Sequence, residues 1–145
     1  MGYFFVIRKG LAERWGLDWD ERLVTYAYAE DLDFSWRYCR RAKAEGLRCL
    51  ITPDVAVRHR ISTEWRETPR AVTTMELFHR EYLTYKWGLG LFSRLCTRWA
   101  NLGTFLSRLL HHDHCLDVLR AQLLCDWHRG DIRRGILHTE LFHRK

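Results

Sequence analysis

A chain of 145 residues with 47% hydrophobic content and seven tryptophans can bury a real core and is too apolar for disorder. Its formal charge of +6 suits an anionic partner: a nucleotide-sugar, a lipid diphosphate, a membrane surface or nucleic acid. The five cysteines, Cys39, Cys49, Cys96, Cys115 and Cys125, form no Cys-x-x-Cys pair and read as reduced thiols of a cytosolic protein, and no apolar run approaches the roughly 20 residues of a membrane span.

In chain order, Tyr3 to Ile7 is a short apolar run that fits a buried strand, and Lys9 to Trp15 fits a short helix. Gly16 punctuates, and Asp18-Trp19-Asp20 follows. From Glu30 a helical pattern begins. Leu32, Trp36 and Cys39 share one apolar face, and Glu30, Asp33 and Arg37 share another at i, i+3 and i+7. Asp31 lies between these faces near the helix start, where free backbone N–H groups and the helix dipole favour an anion. A carboxylate held there can serve as a general base or simply as an acidic cap.

The helix runs into a basic last turn and stops at Gly46, a suitable C-cap. Leu47 to Ile51 and Val55 to Val57 read as strands on either side of the Pro53-Asp54 turn, and His59 follows between Arg58 and Arg60. A second helix starts near Pro69, a first-turn position, and carries Met75, Phe78, Tyr82 and Tyr85 at helical spacing. After Gly88 an amphipathic helix places Phe92, Leu95, Trp99, Leu102, Leu106 and Leu109 at alternating steps of three and four. Leu116, Leu119, Leu123 and Trp127 mark another, and Ile132, Ile136 and Leu141 a short third. These helices can pack on the rest of the chain, lie in a membrane interface or pair with another subunit; packing is the expectation. His111 to Cys115 fits either a metal cluster on one helical face or a solvated interhelical turn. No Gly-rich phosphate loop, Gly-x-Ser-x-Gly elbow or His-Glu-x-x-His occurs. The basic residues are dispersed with no nucleic-acid-binding signature, so no nucleic-acid partner is expected.

Six of these segments fall in a telling order. Trp19-Asp20-Glu21 precedes Glu30-Asp31-Leu32-Asp33 with its helix to Arg37, and then come Gly46, Pro53 to Val57 and His59. Over roughly the first 90 residues the series resembles the acceptor-side half of family 2 glycosyltransferases, inverting enzymes of the GT-A fold, most closely the rhamnosyl- and galactofuranosyltransferase type. The resemblance implies an α/β fold. Residues 1–87 would form a partial, Rossmann-like GT-A domain lacking its N-terminal nucleotide-binding half, and residues 88–145 an α-helical region.

It also implies roles. Asp31 would be the catalytic base, and Trp19, Asp20, Glu30, Asp33 and Arg37 would bind the acceptor or support the base. Arg58 and Arg60 would face the donor phosphates, and His59 would hold a divalent metal, Mg or Mn. Asp18-Trp19-Asp20 matches the acceptor-side loop of the family and not its donor-side Asp-x-Asp. Glu81 stands where the family usually has Asn, which leaves that position without an inherited role. The expected partners are a nucleotide-sugar donor and a glycan or lipid-linked acceptor, with the donor-binding half supplied in trans if the chain is a fragment, a truncated product or half of a split enzyme. The place implied is the cytoplasm, peripheral at the inner face of the cell membrane. The alternative from another class is a non-catalytic basic helical module that binds a membrane surface or a partner subunit.

Overall fold

The computed structural model describes residues 6–23, 29–50 and 67–142, in two compact units. One comprises residues 1–20 and 30–66, the other residues 21–29 and 67–145.

The first unit holds α1 (Lys9–Arg14) and α2 (Glu30–Ala44). Both end in the same way. After α2, Gly46 takes φ +72°, its N–H bonds the Lys43 carbonyl at 3.1 Å, and the Leu47 N–H reaches back to Ala42 O at 2.8 Å. This pair of bonds satisfies carbonyls that a helix end otherwise leaves orphaned, and the left-handed residue they need is why a glycine sits there. The two helices meet through polar and aromatic groups: Trp15 Nε1 donates to Glu45 Oε1 at 2.6 Å, Arg14 pairs with Glu45, and Trp15 stands edge-on to Tyr38 with centroids 5.1 Å apart.

The second unit is a helical cluster around α3 (Pro69–Lys86). With it pack α4 (Leu91–Leu110), α5 (Cys115–Trp127), α6 (Arg129–Arg134) and a 3₁₀ turn at Thr139–Leu141. Thr68 caps α3 by accepting the Ala71 N–H at 3.2 Å, and Pro69 occupies the first turn. Met75, Leu77 and Phe78 of α3 are fully buried, among Val118, Ala121 and Cys125 of α5, Ile132 of α6, and Leu137, Leu141 and Phe142 beyond it.

The expected α/β, Rossmann-like layer is therefore corrected: among the described residues the chain is helical and no strand forms. Leu47 to Leu50 were expected to start a strand, but Leu50 is 82% exposed and the segment has no ladder partner there. Apolar composition alone makes no strand without a neighbour to share its backbone bonds. The other expected strands fall wholly or largely outside the described residues, as do Ile51 and residues 55–57.

The apolar stripes of α4 and α5 also turn out differently. Both helices pack, but Phe92, Trp99, Leu116, Leu123 and Trp127 are each at least 70% exposed. α3 presents a polar flank, and α4 answers it with its own polar side. Arg80 Nη1 donates to Asn101 Oδ1 at 2.7 Å, Arg108 Nη1 donates to Thr73 Oγ1 at 2.6 Å, and Arg98 pairs with Glu81 at 3.5 Å. Asn101 then donates to Gln122 of α5 at 2.9 Å. Charge-assisted bonds of this kind are each worth about 1.5–3 kcal/mol, and they set the basic side of α4 against α3.

Candidate functional site

The start of α2 carries Glu30, Asp31 and Asp33 within its first turn. Their fates differ. Asp33 is fully buried and accepts two bonds from Arg37, from Nε at 2.9 Å and Nη2 at 2.8 Å. The same Nη2 donates to the Asp18 carbonyl at 2.5 Å. One guanidinium thus ties the second turn of α2 to the loop after α1. Trp19, the next residue, stacks on Phe34 with centroids 4.5 Å apart, and Phe34 stacks in turn on Tyr38 at 6.2 Å.

Asp31 stays out of this network. Its Oδ1 accepts the Leu32 N–H at 2.7 Å, and no ion pair holds it among the described residues. The side chain is half-exposed. Residues at i and i+3 are neighbours on a helix surface, so Asp31 flanks Phe34. Trp19 keeps 49% of its surface exposed. The result is a carboxylate with one oxygen on the Leu32 N–H, on the same helix turn as the ring that a half-exposed indole covers. Just before it Ala29 sits at φ +75°, a left-handed conformation that costs a non-glycine residue about 1–2 kcal/mol and marks the entry to the helix as constrained.

The structure therefore gathers Trp19, Asp31, Asp33 and Arg37, with Glu30 at the head of the helix and Asp20 half-buried in the loop. Arg58, His59 and Arg60 lie outside the described residues, so the expected phosphate and metal groups are not placed. The burial pattern of α2 is a correction. Leu32 is 55% and Trp36 38% exposed, while Asp33, Phe34 and Ala42 form the buried side. The buried ion pair and the aromatic stack decide which side turns inward.

His111 to His114 form the turn between α4 and α5, and Cys115 opens α5. His112 and His114 take positive φ, and His111 to His114 are all exposed, so no single helical face presents them.

A different cluster escaped the sequence. His128 Nδ1 and His138 Nε2 lie 3.7 Å and 2.9 Å from the same oxygen of Asp131, and the two imidazole centroids are 4.2 Å apart. On its other side His138 Nδ1 is 3.1 Å from Glu140 Oε1. Hydrogen bonds from His138 and then Arg134 hold the Asp131 carboxyl down at about 2, and bonding to Asp131 raises the pKa of His138. The His-x-x-Asp spacing was visible. The return of His138 was not, because it depends on the chain reversal at Gly135, φ +83°.

Comparison with known proteins adds nothing: no family model, no curated protein and no solved structure matches this chain.

Proposed function

We propose that the chain contributes the acceptor side of an inverting glycosyl transfer from a nucleotide-sugar, with Asp31 as general base. The observation that carries this is that Trp19 stacks at 4.5 Å on Phe34, one helical turn beyond Asp31 at the start of α2. A sugar ring has an apolar C–H face and a polar rim. The indole offers a flat surface to the first and Asp31 an acceptor to the second. As an acceptor oxygen attacks the anomeric carbon, the bond from that carbon to the nucleoside diphosphate breaks and the diphosphate leaves with the electron pair, while the acceptor's proton passes to Asp31 Oδ2. General-base help of this kind contributes about 10²–10⁴-fold. Asp33 and Arg37 anchor the second turn of α2 to the Asp18 loop and do not touch the reacting atoms. What supports transfer is this loop and helix, not a Rossmann-like sheet, which the described residues do not form.

The test is to incubate the protein with a panel of nucleotide-sugars and glycan or lipid-linked acceptors, and to read product mass and anomeric configuration by NMR. Inverted product supports the proposal. Retained configuration, or no product under conditions that sustain a known transferase, removes it.

One observation favours a second reading, a helical module that docks on a membrane surface or a partner subunit. The outward stripe of α4 from Phe92 to Leu109 keeps coiled-coil spacing and every member is at least 44% exposed. No helix among the described residues is long and apolar enough to cross a membrane. Vesicle co-sedimentation and sedimentation equilibrium separate the two partners. Lipid binding that weakens with salt marks a membrane surface, and concentration-dependent mass marks a subunit.

A further inference from the structure

His128, Asp131 and His138 converge although only the first two are close in sequence. His128 ends α5 and leads into α6, Asp131 lies within α6, and His138 follows the turn at Gly135. Two imidazoles and one carboxylate form a mixed nitrogen and oxygen donor set, which suits zinc or a neighbouring transition ion better than magnesium or calcium. Around a tetrahedral ion with bonds of about 2.0–2.2 Å, donor atoms sit about 3.4 Å apart. Here the distances to Asp131 Oδ2 are 2.9 and 3.7 Å, and all three donors lie within 4.8 Å of one another.

Glu140 supplies an independent observation. Its carboxylate accepts from His138 Nδ1 at 3.1 Å, on the ring edge away from Asp131. That is the arrangement that fixes a ligating histidine: the far nitrogen keeps its proton on a carboxylate, and the near nitrogen is aimed at the ion. His138 also takes φ +49°, so the backbone accepts an uncommon conformation to bring the ring round.

We infer that His128 Nδ1, Asp131 Oδ2 and His138 Nε2 form a binding site for a divalent transition ion of the zinc class, with Glu140 orienting His138 from behind. The ion replaces the proton between His138 and Asp131 Oδ2, and that proton passes to solvent, while Arg134 keeps its pairing with the other carboxylate oxygen, Oδ1. A fourth position stays open to water. The ion would fasten α6 to the segment that closes the core. The 3₁₀ turn after His138 delivers Leu141 and Phe142 to the interior, where Phe142 meets Phe78 edge-on at 5.7 Å. This site is separate from the α2 mouth, and its role is structural.

The test titrates the full chain with Zn²⁺ against a chromophoric chelator and records Co²⁺ absorption in the visible range. One equivalent should bind, and Co²⁺ should give the intense bands of a low-symmetry four-coordinate site. His128→Gln with His138→Gln should weaken binding at least tenfold. Glu140→Gln should weaken it by about tenfold, the lower end of the effect of such supporting groups. A triple variant, His111→Gln, His112→Gln and His114→Gln, should bind as the wild type does. Equal affinity in a double variant shown to be folded by circular dichroism overturns the site, and so does loss of binding in the triple variant. If the double variant does not fold, X-ray absorption of the wild-type Co²⁺ form decides. Two histidine nitrogens in the coordination shell support the site, and fewer refute it.

Discussion

Arg37→Met should loosen the α2 mouth more than its surface position would suggest. The Asp33 carboxylate is fully buried and takes two of its bonds from this guanidinium, at 2.9 and 2.8 Å. Removing one partner of a buried pair costs about 3–5 kcal/mol, because the remaining charge keeps its desolvation penalty. The Arg37 side chain is 25% exposed, which lets water enter and moves the figure to the lower end. Loss of the bond to the Asp18 carbonyl adds about 1 kcal/mol. The sum is about 4 kcal/mol, a large share of the roughly 5–15 kcal/mol that holds a domain together. Hydrogen exchange by mass spectrometry is the suitable assay, since it reads the opening of residues 17–20 and 30–44 apart from the second unit. Both segments should lose protection together, while α3 stays protected. Asp33→Asn added to Arg37→Met should recover at least 1 kcal/mol, because the stranded charge is gone. A cost below 1 kcal/mol for Arg37→Met, or no recovery in the double variant, would refute the clamp.

Ala29→Gly should raise stability by about 0.5–1 kcal/mol in urea melts, because relief of the left-handed strain outweighs the extra freedom glycine gives the unfolded chain; a destabilised variant would show that Ala29 carries no strain. Asn101→Ala should cost about 2 kcal/mol, since it leaves Arg80 and Gln122 each short of a partner between α3 and α5; a neutral result would mean that water replaces the amide. Iodoacetamide followed by peptide mapping should modify exposed Cys96 first and Cys125 last. Partial burial, with Cys49 alongside, pushes the Cys39 thiol up to about 11, and burial pushes buried Cys125 higher still. Early labelling of Cys125 would contradict its place in the core.

The helices were the legible part. Pro69, Gly46 and Gly88 are local signals whose physics is contained in one or two residues, and they set the ends of α2 and α3 within a residue or two. Which face each helix buries was not legible. Periodicity weighs apolar area, but α2 turns Asp33 and Phe34 inward and leaves Leu32 and Trp36 outside, because Arg37 pairs with Asp33 within the helix and Asp18 and Trp19 supply partners from a distant stretch. α4 follows the same rule, with Arg108 and Asn101 meeting Thr73 and Arg80. Long-range polar pairing decides such cases and leaves no trace in local spacing. The carboxylate cluster of the candidate site was visible as a run of acids, and helical spacing already set Asp33 with Arg37 apart from Asp31; the burial of that pair and its bond to the Asp18 carbonyl were not visible. The histidine cluster stayed hidden because its third member arrives through a turn.

The most direct measurement compares glycosyl transfer by the wild-type protein and by Asp31→Asn, each purified with whatever chain accompanies it in its own host. The amide keeps the shape of the helix start and the contact with the Leu32 N–H, but it takes up no proton. Turnover should fall by about 10²–10⁴-fold, with acceptor binding and hydrogen exchange across residues 30–44 unchanged. Turnover within a few-fold of wild type would contradict Asp31 as the base.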